Sequence, residues 1–169
     1  FLVDEKFPEL KNKWHVFRGG DISKFIEQIG GNIDMLVLDT VHIHPWETLN
    51  FICVLPFMKN DSWTILHDIT FFDGPKDRNG LACRYLFSYV VSDQKIKPAP
   101  DERMFANIGA FHVTEDTKKY DQNLFEGLVI PWSVNVIPDD VKNIGEIIKK
   151  YYQPENLEFF NTIVKHQDY

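Results

Sequence analysis

The chain has 169 residues, of which 44% are apolar and 14% aromatic, enough core-forming material for one folded domain and too much for a disordered segment. Asp and Glu outnumber Lys and Arg by 25 to 18, and no basic cluster is present to track a phosphate backbone, which argues against a nucleic-acid partner. No apolar run approaches the roughly 20 residues of a bilayer span, and "FLVDEKFPEL" lacks the basic-then-apolar pattern of a signal peptide, so the expectation is a cytoplasmic protein with no membrane partner.

The chain opens on a strand-like "FLV" without an initiator Met, and a start truncated at the N-terminus is expected. "KWHVFRG" (13 to 19) reads as a short strand ended by Gly19 and Gly20. "DISKFIEQIG" then reads as a helix, with Asp21 as N-cap and Gly30 as C-cap. "IDMLVLD" (33 to 39) has a continuous apolar centre, the pattern of a strand buried on both faces in a parallel sheet.

Pro45 suits the first turn of a helix in which Trp46, Leu49, Ile52 and Cys53 recur at helical spacing, with Glu47 near its positive end. "KND" makes a turn into a second buried strand, "SWTILHD" (62 to 68). Strand, helix and strand in that order predict two parallel strands. Residues 70 to 80 read as a loop, 81 to 91 as a helix, and 105 to 113 as a strand broken by Gly109. Two helices, 138 to 152 and 155 to 165, close the chain. Cys53 and Cys83 each fall inside a helical stretch, which favours packed thiols over a disulfide or a cysteine zinc site.

In an open parallel sheet, ligands bind outside the carboxyl ends of the strands. Both buried strands deliver polar residues to that edge: Asp39 and His42 after the first, His67 and Asp68 at the second. Taken singly, each suits a turn or cap, as His44 would before the helix. Together they suit a divalent metal held by Asp39, His42, His67 and Asp68, or acid-base chemistry in which His67 or His42 takes a proton while Asp68 or another carboxylate orients the ring.

The stretch "IDMLVLDTVHIHPWETLNFICVLPFMKNDSWTILHDI" resembles the second half of class I S-adenosylmethionine-dependent methyltransferases. The closer likeness is to a branch with Asp and a nearby His after the fourth strand, and "HD" after the fifth. The likeness is close over residues 13 to 69 and looser over "NGLACRYLFSYVV" and "NIGAFHV". It implies a three-layer, mostly parallel, Rossmann-like α/β sheet and S-adenosylmethionine as cofactor. Gly20 and Asp21 would lie at the turn toward the adenine, and Asp39 beside the methyl-transfer site. It further implies Mg or Mn at Asp39 in metal-dependent relatives, with His67 and Asp68 touching substrate or metal. The chain departs from the family in lacking a G-x-G turn before residue 19 and, unless Asp4 or Glu5 serves, an acidic residue for the ribose hydroxyls. It is therefore read as starting after the second strand, without the central strand of the sheet. A small hydroxylated acceptor, such as a sugar or glycan precursor, is the expected substrate, and a homo-oligomer is compatible with the sequence. The alternative is a non-catalytic α/β module for binding or assembly.

Overall fold

The structure is a computed structural model and describes residues 2 to 70, 81 to 98 and 107 to 167. The expected loop at 70 to 80 lies almost wholly outside the described residues. Among the described residues four strands form one sheet in the order β1-β2-β4-β3, with β1 at Ile33–Leu38, β2 at Met58–His67, β3 at Lys95–Ile96 and β4 at Ile108–Val113. β1 and β2 run parallel, in a register that sets Leu36 beside Thr64 and Leu38 beside Leu66. Helix α3 (Trp46–Val54) connects them. The strand, helix and parallel strand read from the sequence are therefore present.

The expectation of a mostly parallel sheet is corrected: β4 is antiparallel to both β2 and β3. An apolar run of six residues carries no direction, and direction was inferred from the one visible crossover. The three-layer expectation also changes. On one face, Leu38, Ser62, Thr64, Leu66, Gly109, Phe111 and Val113 are buried, and the register places them side by side. The opposite face is open at Met35 (60% exposed) and Val37 (56%). There Trp63 stacks on His112, with ring centroids 5.0 Å apart. Among the described residues, β1 is thus a one-face edge strand and not the doubly buried one its composition suggests.

The expected strand at 13 to 19 is absent. That segment is irregular, with Trp14, Val16 and Phe17 exposed, because none of its backbone meets a strand with which to pair. The expected strand start is not found at Leu2 and Val3 either: Leu2–Lys6 form the short helix α1. Asp21 does cap as expected, its Oδ1 accepting from the Ser23 N–H at 2.8 Å. The helix that follows is split into a 3₁₀ turn, Ile22–Lys24, and a short α2, Ile26–Ile29, closed by Gly30 at φ 82°. The expected turn at 59 to 61 survives as an irregularity within β2, where Asp61 adopts φ 62° opposite the register shift of β1.

α3 is buried almost all round, the signature of a central helix. Around it lie α4 (Ala82–Tyr89), α6 (Gln122–Gly127) and α7 (Pro138–Tyr151); α8 (Pro154–His166) packs on α6 and α7. Three further elements were not foreseen, the two-residue β3, α5 (Glu115–Lys119) and α6. Gly109 does not break β4. It is a close-approach point, where an added Cβ would sit 2.8 Å from Ile69 Cδ1 and 3.0 Å from Phe87 Cε2. Cys53 and Cys83 are free and buried, in α3 and α4. No helix among the described residues is long and apolar enough to cross a membrane.

Candidate functional site

Parallel pairing puts Leu38 beside Leu66, so the next residue of each strand, Asp39 and His67, emerges at the same sheet edge. Asp68 follows His67, and the loop after Asp39 brings His42 back over both. His42 Nε2 lies 3.0 Å from Asp68 Oδ2 and 3.3 Å from Asp39 Oδ1. His67 Nδ1 lies 3.2 Å from Asp68 Oδ1 and 3.4 Å from Asp39 Oδ1. The two imidazole centroids are 6.1 Å apart. All four residues singled out at the strand ends thus form one rim, with Asp39 and His67 facing solvent and His42 and Asp68 largely covered.

Two of the four have left-handed backbones, His42 at φ 58° and Asp68 at φ 60°. Such a conformation costs a non-glycine residue about 1–2 kcal/mol and persists only where surroundings impose it. Glu47 imposes it on His42: from the first turn of α3, its Oε1 accepts the His42 backbone N–H at 2.6 Å and the Thr40 hydroxyl at 2.6 Å. Asn107, just before β4, does the same for Asp68: its side-chain amide donates to Asp68 Oδ1, and its carbonyl accepts the Ile69 N–H at 3.1 Å.

Glu47 and Asn107 are the site residues that sequence reasoning missed. Glu47 looked like an ordinary acid at a helix start, but it is fully buried. Burial pushes its carboxyl above the usual range, with the Thr40 and His42 hydrogen bonds opposing. Its Oε2 is buried without a hydrogen-bond partner. The only signal for it was its place in a nine-residue cluster of polar groups.

His44 does not cap α3 and does not join the rim. It is 1% exposed, contacts Ile130 O through Nε2 at 3.2 Å and meets the Tyr85 ring edge-on at 5.3 Å. Burial lowers its pKa from 6.5 to about 4, with the Ile130 contact opposing. The unfolded chain therefore takes up a proton below pH 6.5 that the folded chain refuses. Stability from this residue is intact above pH 6.5 and is lost as the pH falls toward 4, a total of about 3 kcal/mol. Urea denaturation at pH 7.5 and 4.5 checks this: His44→Gln, which keeps a donor for Ile130 but does not titrate, is expected to show a shallower loss than the native chain. An equal loss in both would remove His44 as a cause.

Gly20 and Asp21 are not part of the rim. They line a neighbouring cavity of about 700 Å³ whose wall includes Val37, Leu38, Thr40, Val41 and Trp46. Asp39 sits between two of these lining residues, Leu38 and Thr40, so rim and cavity share the end of β1. Asp21 Oδ2 is buried without a hydrogen-bond partner, and Lys24 Nζ is 3.9 Å from it and 2.8 Å from Asp140 Oδ1. Burial raises the Asp140 carboxyl, opposed by Lys24 and reinforced by Asp21.

Chemically, the rim offers two imidazoles backed by two carboxylates, a set able to move a proton. The donor atoms of Asp39, His42 and His67 also lie within 4.8 Å of one another, close enough to share a cation. Comparison of the chain with protein-family models, curated proteins and solved structures found no match.

Proposed function

We propose that the chain serves an S-adenosylmethionine-dependent methyl transfer to a small hydroxylated acceptor such as a sugar. The observation that carries this reading is the adjacency of a rim of two imidazoles and two carboxylates to a largely apolar cavity lined by Gly20 and Asp21. The resemblance assigns the adenine end of the cofactor to Gly20 and Asp21, and these residues line that cavity. Asp21 would lie at the edge of the base, and Val37, Val41 and Trp46 would flank its ring. The residues present thus fit the nucleoside end. The glycine-rich turn for the methionine end has no counterpart before residue 19.

The cofactor supplies a sulfonium methyl group for in-line transfer to oxygen. The chain's own task is to position the acceptor hydroxyl and remove its proton. His67 suits this. Its Nδ1 lies within ion-pair distance of Asp39 and Asp68 without making a hydrogen bond to either, and the two carboxylates would stabilise the imidazolium that forms when the ring takes the proton. His42 fixes Asp68 from the other side. As the alternative use of the same atoms, Asp39, His42 and His67 would hold a divalent cation with Asp68 beside it; imidazole with carboxylate suits Mn better than Mg.

Isothermal titration of the native protein with S-adenosylmethionine tests the reading. Saturable binding is expected, weakened about tenfold or more by Asp21→Ala, the equivalent of about 1.4 kcal/mol. Absence of binding by the native protein would contradict it. A non-catalytic binding or assembly role is favoured by one observation, the exposed Met35 and Val37 on the open sheet face, and the same titration separates the two.

A further inference from the structure

The His42 ring has a second side. While Nε2 faces the rim carboxylates, Nδ1 faces inward, 3.5 Å from Cys83 Sγ and 3.7 Å from Glu47 Oε1. The donor atoms of His42, Glu47 and Cys83 form a second group, all within 4.8 Å of one another. Glu47 comes from the first turn of α3 and Cys83 from the first turn of α4, and both are 0% exposed. This inner group joins two helices and the loop after β1 behind the rim.

Two features point to a cation here. The first is Glu47 Oε2, a carboxylate oxygen buried with no hydrogen-bond partner. Burying such a group unpaired is costly, and a cation bound beside it would offset that cost. The second is the spacing. Tetrahedral coordination with metal–nitrogen bonds of about 2.05 Å and metal–sulfur bonds of about 2.3 Å places N and S about 3.5 Å apart. That is the separation found between His42 Nδ1 and Cys83 Sγ.

We propose that His42 Nδ1, Glu47 and Cys83 bind a borderline-soft divalent cation of the zinc class, leaving the fourth position to water. A thiolate ligand disfavours Mg and Ca, which take oxygen. On binding, the Cys83 S–H bond breaks, the sulfur–metal bond forms, and the proton leaves to solvent. With Nδ1 on the metal, Nε2 carries hydrogen and donates to Asp68, 3.0 Å away, the carboxylate-histidine-metal arrangement that orients a ligand ring. A cation on Nδ1 and one on Nε2 exclude each other on a neutral imidazole. The inner site is favoured because its acid is buried and unpaired, whereas the Asp39 side chain is 60% exposed and solvated. The site shares His42 with the methyltransferase reading but does not depend on it.

The test is titration of chelator-treated protein with Co²⁺, read by absorbance. A thiolate-to-cobalt charge-transfer band saturating at one ion per chain, and bleached by Zn²⁺, is expected. The band is expected to persist in Cys53→Ala and to vanish in Cys83→Ser. Because Cys83 is buried and its replacement can disturb folding, Asp68→Asn serves as a second variant: it leaves all three ligands in place and is expected to weaken Co²⁺ binding roughly 10–100-fold. Absence of the band in the native protein, its survival in folded Cys83→Ser, or unchanged affinity in Asp68→Asn would overturn the proposal.

Discussion

His67→Ala is expected to lower methyl-transfer turnover by about 10²–10⁴, the usual contribution of a positioned acid-base group, while changing stability by less than about 0.5 kcal/mol. The split follows from where the side chain stands. It is 43% exposed, at the last residue of β2, and its Nδ1 contacts are to Asp39 and Asp68. Little packing is lost with the ring, but the basic nitrogen is. Steady-state kinetics paired with urea denaturation checks both halves. Equal turnover in the variant and the native protein would take His67 out of the chemistry, and a large stability loss would make it structural.

Phe111→Ala is expected to cost about 3–5 kcal/mol of folding stability. Phe111 is 0% exposed and sits on the covered face of the sheet, paired with Thr64 of β2. Its ring meets Phe51 of α3 edge-on at 5.1 Å, so its loss opens a cavity between the central helix and the sheet. Val37→Ser on the opposite face is the matched control and should change stability by less than about 0.5 kcal/mol. Urea midpoints for the two variants decide the matter, since similar losses would mean that both sheet faces are packed.

These two positions also show how far the sequence could be read. β1, α3 and β2 were legible because a strand, a proline-started helix and a second strand follow one another with clear periodicity, and their order fixes parallel pairing. The meeting of Asp39 with His67 and Asp68 followed from that pairing, whereas the place of His42 depends on the loop that folds back to Glu47. The antiparallel β4 was found as a strand but not oriented, because nothing in "NIGAFHV" encodes direction. Val37 was misjudged because an apolar residue in a continuous run looks the same whether its face is covered or open. Residues 13 to 19 have strand-forming side chains, yet a strand needs a partner, and they pair with none of the described strands.

The supporting residues were less legible still. Glu47 announces itself only as an acid at a helix start, and its hydrogen bonds to Thr40 and the His42 backbone depend on a loop folding back. Asn107 reaches Asp68 from across the sheet, and Cys83 meets His42 from 41 positions away. Helix α5 was missed because its capping box pairs Thr114 with Thr117, Thr117 standing where Glu or Gln would give the usual signal.

The most direct test of the central claim is heteronuclear NMR of the labelled native protein titrated with S-adenosylhomocysteine, the demethylated product. Saturable shift changes are expected at Gly20, Asp21 and Val41 along the cavity and at the side-chain resonances of the adjoining His67 and His42, with distant α8 residues unmoved. Shifts confined to other surfaces, or none at millimolar ligand, would contradict the account.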